Sequence, residues 1–92
     1  MWEGFEWHES KARANAAKHG VTFREAATAF DDLFSVSTPD PDHSIREQRF
    51  VLIGMTSTAR MVVVAHVLRG DNIRIISARP ATNAERRKYD EA

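Results

Sequence analysis

The chain of 92 residues contains no cysteine. Disulfide staples, cysteine-based zinc sites and thiol nucleophiles are therefore excluded. No stretch approaches the ~20 apolar residues of a membrane-spanning helix, and the opening Met1-Trp2-Glu3-Gly4 lacks the pattern of a secretory signal. A soluble, cytoplasmic chain is the expectation. There is no glycine-rich phosphate loop, no Ser/His/Asp order that stands out and no His-x-x-x-His. The four histidines, His8, His19, His43 and His66, have no metal-ligand spacing, so neither a metal site nor a cofactor is expected. Repeats, low-complexity tracts and long linkers are also missing, which predicts one domain over residues 1–92. Large apolar side chains are scarce: 42% of residues are hydrophobic, but 13 of them are alanine. So small a core often leans on a partner.

Net charge is zero as well, with 13 basic and 13 acidic residues. The distribution is uneven. Residues 1–46 carry 5 basic and 8 acidic side chains, and residues 47–92 carry 8 basic and 5 acidic. Seven of those eight bases are arginine, whose planar fork suits phosphate better than lysine does. Either an anionic partner for the second half or a solvated charged face accounts for the split.

Phe5-Glu6-Trp7 alternates apolar and polar, as a short half-buried strand does. Residues 9–19 are rich in helix formers, and Gly20 follows as a left-handed cap, with Lys18 and His19 in the last turn. Thr22-Phe23-Arg24-Glu25 reads as a capping box opening a second helix. That helix should bury Phe23, Ala26, Ala27 and Phe30 and stop near Asp31-Asp32. Residues 33–37 alternate weakly and suggest a strand. The proline-containing residues 38–44 predict an exposed loop. Strands rich in β-branched residues follow at 49–56, 60–69 and 72–79, with Gly70-Asp71 as a hairpin turn. Thr82-Asn83-Ala84-Glu85 is a second capping box, opening a short charged helix that must dock or order on a partner. The order predicts an α+β fold: a short N-terminal strand, two helices, a three- to four-stranded antiparallel sheet and a C-terminal helix.

A regular hairpin about Gly70-Asp71 puts Arg60, His66, Ser77 and Arg79 on one face, an open polar platform. Met61, Val63, Ala65, Val67, Ile76 and Ala78 fall on the other, the expected core, with Arg74 as its one charge. A one-residue bulge would exchange the faces. Cleaving RNA without a metal requires a base for the 2′-hydroxyl, cations on the phosphoryl oxygens and a proton donor for the leaving oxygen. Arg49, Arg60, Arg79 and Lys18 are candidate phosphate clamps, Glu47 a candidate base, and Lys18, His19 or Tyr89 candidate donors. Arg74 and Arg86 join His19 and Tyr89 as candidate RNA contacts. Each has a plainer reading. Lys18 and His19 complement a helix end, Glu47 and Arg49 form an exposed pair, and Arg74 guards a strand edge. Likewise Tyr89 anchors the last helix, His66 packs against Ile75, and Trp2 and Trp7 belong to the core or its rim.

Phe5-Glu6-Trp7, then Lys11, Asn15, Lys18-His19-Gly20-Val21, Phe23 and Ala26, resemble the opening of the BrnT toxin family. Glu47-Gln48-Arg49, Ile53-Gly54 and Arg60 resemble its middle. Arg74-Ile75-Ile76-Ser77-Ala78-Arg79, Ala81, Glu85-Arg86 and Tyr89 resemble its end. His8 stands where the family pattern has a capping aspartate, and residues 38–45 carry no family signature. The resemblance implies a RelE-like fold and a ribonuclease toxin of a type II toxin–antitoxin pair that halts translation. It implies as partner a BrnA-like antitoxin with a dimeric ribbon-helix-helix domain, in a 2:2 heterotetramer through the antitoxin dimer. Operator DNA would be touched only through the antitoxin. The alternatives are a non-catalytic nucleic-acid-binding or regulatory module on the same fold, or a pure interaction domain. Arginine and lysine as the only cations in this scheme generate a prediction. Cleavage of RNA by the purified chain persists in excess EDTA; loss of cleavage in EDTA, restored by a divalent ion, would refute the metal-free scheme.

Overall fold

The computed structural model describes residues 3–43 and 47–92. Strand β1 (Phe5–Glu6) leads into helix α1 (Glu9–His19) and helix α2 (Phe23–Thr28), which tightens into a 3₁₀ turn (Ala29–Asp31). Strand β2 (Val36–Pro39), a second 3₁₀ turn (Pro41–His43), strands β3 (Arg49–Met55), β4 (Met61–Arg69) and β5 (Asn72–Pro80), and helix α3 (Asn83–Glu91) complete the chain. The fold is α+β. Its five strands run in the order β1-β5-β4-β3-β2, with β1 parallel to β5 and the other pairs antiparallel. No helix among the described residues is long and apolar enough to cross a membrane.

Local signals account for most boundaries. Gly20 ends α1 at φ 69°, and its N–H reaches the Ala16 carbonyl. Thr22 caps α2 by accepting from the Glu25 N–H at 3.0 Å. Glu25 does not return the bond that a complete capping box would make; its carboxylate serves Arg60 instead. Two expectations are corrected. The strand placed at 33–37 starts three residues later, because Leu33 and Phe34 form an exposed turn. Thr38 and Pro39, expected in a loop, belong to β2, which tolerates proline because it is an edge strand. Ser44, at the end of that expected loop, and Trp2 lie outside the described residues.

Helices α1 and α2 cover one face of the sheet. Val21, Phe23, Ala26, Ala27 and Ala29 pack there on Leu52, Val62, Val64, Ile75 and Ala78, with Phe5, Trp7, Ala12 and Phe30 at the margin. Gly54 lets the Ala29–Asp31 turn lie close to β3, since a Cβ at that position would stand 2.9 Å from the Ala29 carbonyl oxygen.

Register decides which residues face the helices. From Gly70-Asp71 outward the pairs are Arg69 with Asn72, Leu68 with Ile73, Val67 with Arg74 and His66 with Ile75. Ala65 then pairs with Ser77, so Ile76 is an extra residue, a bulge in β5. Beyond it the parity of β5 is reversed. Ile75 and Ala78 both point to the helices, while Ser77 and Arg79 share the opposite face with Ala65 and Val63. The regular-hairpin assignment is thereby overturned. Val62, Val64 and His66 lie beneath α1 and α2, and Met61, Val63 and Ala65 form the helix-free face, clear of α1 and α2, with Arg74, Ser77 and Arg79.

Beyond Arg74, β5 has no strand beside it on the β1 side. Asn15 of α1 takes that place. Its Oδ1 accepts from the Ala78 N–H at 3.1 Å, and its Nδ2 donates to the Ala78 carbonyl at 2.8 Å and to the Val21 carbonyl at 3.0 Å. Only 8% of the residue is exposed. Replacing Asn15 by Ala leaves three backbone groups unpaired at a buried site, each costing about 1–3 kcal/mol. Urea unfolding of Asn15→Ala should show a loss of about 3 kcal/mol or more. Asn15→Asp keeps the acceptor but neither donor bond, and should not restore the loss.

Candidate functional site

Helix α3 covers part of the face that α1 and α2 leave free. Ala81 and Tyr89 pack on a second apolar cluster of Ile53, Met61 and Val63, with Val51 and Met55 beside it. Next to that cover the sheet bears a shallow cavity of about 260 Å³. Val51, Val63, Ala65 and Ser77 form its floor, Arg49 and Arg79 reach it from β3 and β5, and Asp40 and His43 close the β2 side. In register, Ser77, Ala65 and Val51 form one row across three strands. The bulge at Ile76 is what brings Ser77 and Arg79 into this surface.

Arg79 is held by both oxygens of Glu85, Nη1 to Oε1 and Nη2 to Oε2, each at 2.7 Å. Glu85 is also the third residue of α3, and its Oε1 accepts from the Thr82 N–H at 2.8 Å. The second capping box is thus complete, as the sequence predicts. The Arg79 guanidinium is the main reason the Glu85 carboxyl is lowered to about 2. On the other side, His43 Nδ1 lies 3.0 Å from Asp40 Oδ2. The Asp40 N–H donates to the Arg49 carbonyl at 2.8 Å, which ties this turn to the start of β3. The cavity therefore combines two guanidiniums, one hydroxyl and an imidazole–carboxylate pair on an apolar floor, a set suited to an anionic ligand.

The sequence pattern of a family described as the ribonuclease toxin BrnT of type II toxin–antitoxin systems matches residues 7–85. The chain belongs to the BrnT toxin family. The crystal structure of the Brucella abortus ribonuclease toxin BrnT superposes with a TM-score of 0.68 at 27% identity, over 86% of this chain and 96% of that one. Among curated proteins none matches the chain. The BrnT match spans every described residue of the cavity.

The other candidate residues lie elsewhere. Arg60 is on the helix side, where Nε donates to Glu25 Oε2 at 2.8 Å, Nη2 to Glu25 Oε1, and Nη2 to the Gly20 carbonyl at 2.7 Å. Thr56 and Thr58 hydroxyls donate to the same Glu25 oxygen. Arg60 and Arg79 therefore do not share a platform; Arg60 clasps α2 and the end of α1 to the sheet. Lys18 and His19 sit in that last turn of α1, at the Arg60 corner and across the sheet from the cavity. Glu47 pairs with Arg69 at 3.1 Å beside the β4–β5 hairpin end, with both side chains exposed. Arg74, expected in the core, is on the helix-free face and pairs with Glu6 at 2.7 Å. Arg86 is exposed on α3. Tyr89 donates to Asp32 Oδ2 at 2.7 Å, and that oxygen also accepts from the Met55 N–H. This bond anchors α3. His66 is buried between the Phe30 and Phe50 rings, and burial pushes its pKa down.

Asp40 and His43 were not among the expected site residues. Their signal is faint: an aspartate three residues before a histidine, in a turn framed by Pro39 and Pro41. Nothing in that spacing says that the turn folds over β3.

Glu6, Glu25, Asp32 and Glu85 are all held below their ordinary values, Glu25 and Glu85 the furthest. Glu25 is lowered from 4.5 to about 2, first by its bonds to Arg60, and Glu85 likewise by Arg79. A depressed carboxylate stabilises the fold above its unfolded value and loses that contribution as pH falls through the folded one. Stability should fall between pH 4.5 and about 2. Glu25→Gln should lower stability at neutral pH and flatten that acid limb, as read by urea midpoints across the range. An acid limb unchanged in Glu25→Gln would remove the Arg60 clasp from the account.

Proposed function

We propose that the chain is a metal-independent endoribonuclease whose site is the cavity on the helix-free face. The observation that supports this best is the convergence of Arg49 and Arg79 on one cavity in a member of a ribonuclease toxin family. In-line attack of a 2′-hydroxyl on its own phosphate builds negative charge on the non-bridging oxygens. Fixed guanidiniums stabilise that charge without reorganising, and their forks match its geometry. Glu85 and the Pro80 carbonyl hold the Arg79 guanidinium in place, and the N–H groups they leave unused are those that would meet a phosphate. The cleaved RNA would be lost to translation. Arg74 and Arg86 offer peripheral contacts for a longer RNA strand. Lys18, Glu47, Arg60, His19 and Tyr89 serve other bonds or stand elsewhere in the fold, and this reading assigns them no step at the phosphate.

A toxin of this kind requires an antitoxin. A BrnA-like ribbon-helix-helix partner covering the arginine-bearing face, in a 2:2 assembly through its own dimer, accords with the small core and with the sparse attachment of α3. Zero net charge accords with DNA contact through the antitoxin alone. The setting of such a pair is the cytoplasm.

Arg79→Ala should lower RNA cleavage by about 100-fold, the usual effect of removing one donor to a developing oxyanion. Arg79→Lys keeps the charge but not the fork, and should be impaired as well. The readout is growth arrest and RNA integrity after induction in a bacterial host, alongside cleavage of a defined RNA by purified protein. A folded Arg79→Ala chain that cleaves at the wild-type rate would place the site elsewhere.

A further inference from the structure

We propose that His43, oriented by Asp40, is the general base that takes the proton of the attacking 2′-hydroxyl. The inference rests on the reading of the cavity as a ribonuclease site. It assigns a catalytic role to a turn in which the sequence shows no family signature.

Geometry carries the assignment. His43 is the one imidazole lining the cavity among the described residues. Its Nδ1 faces Asp40 Oδ2 at 3.0 Å. A carboxylate there takes the Nδ1 hydrogen and leaves the Nε2 lone pair as the free acceptor, the tautomer that a base needs. Exposure is graded in the right sense: the His43 side chain is 62% exposed and Asp40 only 19%. The orienting group is shielded and the reactive ring is open to a substrate. The turn is also fixed in place. The His43 N–H reaches the Asp40 carbonyl at 3.3 Å, and the Asp40 N–H reaches the Arg49 carbonyl. The imidazole is thereby positioned relative to the strand that supplies Arg49.

Other bases are engaged or misplaced. Glu47 is paired with Arg69, His66 is buried under the helices, and His19 is across the sheet. The charged groups around His43 are Asp40 and Asp42 on its own turn, Arg49 on β3, and Arg79 on β5 with Glu85 behind it.

The step balances. The 2′-oxygen forms a bond to phosphorus as its proton passes to His43 Nε2. The bond from phosphorus to the 5′-oxygen breaks, and that oxygen takes a proton from water. The products are a 2′,3′-cyclic phosphate and a free 5′-hydroxyl, and His43 returns its proton to solvent.

The test compares wild type, His43→Ala, His43→Gln, Asp40→Asn and Arg79→Ala on a defined oligoribonucleotide. Single-turnover rates are followed from pH 5 to 8, with end-group analysis and circular dichroism of each variant. Loss of the base should lower the rate by ~10²–10⁴-fold with little change in KM. The acid limb of the wild-type profile should vanish in both His43 variants, and added imidazole should restore part of the rate to His43→Ala. Asp40→Asn should keep an acid limb at a reduced rate. A folded His43→Ala chain with the wild-type rate and acid limb would overturn the role of His43. If Arg79→Ala is then inactive, the cavity remains the site with a different base. If Arg79→Ala is fully active too, or if wild type cleaves no RNA, the ribonuclease reading of the cavity falls with the proposal.

Discussion

One carboxamide closes the fold. Past its short parallel pairing with β1, the outer edge of β5 exposes the N–H and C=O of Ala78 beneath a helix, where water does not reach. Asn15 satisfies both, as a neighbouring peptide group would, and with its remaining donor holds the Val21 carbonyl. The same side chain therefore fixes α1 on the sheet, fixes the turn into α2, and holds β5 just beyond its bulge. Buried amide and carbonyl groups are costly when unpaired. Together with the pairing to β4, that bond set places the last half of β5, Arg79 included.

The arginines divide into two populations because of where the sheet turns them. Arg60, on the helix side, is bound by Glu25, two threonines behind that carboxylate and a helix-end carbonyl. Its guanidinium is committed to structure. Arg49 and Arg79 stand on the opposite face, where α3 leaves part of the surface open. Arg60 and Arg79 each hold both oxygens of a carboxylate, and the parity of the strand decides which face each occupies.

Helix α3 links this site to the rest of the molecule by few bonds. None of its residues is buried. It is held by the Tyr89–Asp32 hydrogen bond, by Ala81 and Tyr89 on the sheet, and by Glu85 on Arg79. Elements with so little buried surface open at low free energy. The orientation of Arg79 is therefore coupled to the docking of the most loosely attached helix.

By itself the sequence determined the elements. Helix formers closed by Gly20, the two threonine caps, the β-branched runs and the Gly70-Asp71 turn are local signals. They act through backbone propensity and neighbouring hydrogen bonds, so they are legible in one dimension. The BrnT resemblance, carried by the run from Arg74 to Arg79, was legible for the same reason. Tertiary structure alone decided the faces. The bulge at Ile76 has no signature among β-branched neighbours, yet one extra residue reverses every side chain beyond it. It brought Ser77 and Arg79 to the open face, while the packing of α1 and α2 decided that Val62, Val64 and His66 lie in the core. Glu25 looked like the second half of a capping box, and Arg60 looked like a clamp. Each found the other across 35 residues, because a charged fork binding both oxygens of a carboxylate is stronger than either local alternative. Asp40 and His43 became part of the cavity only when their turn folded over β3, a long-range contact that no spacing in the chain announces.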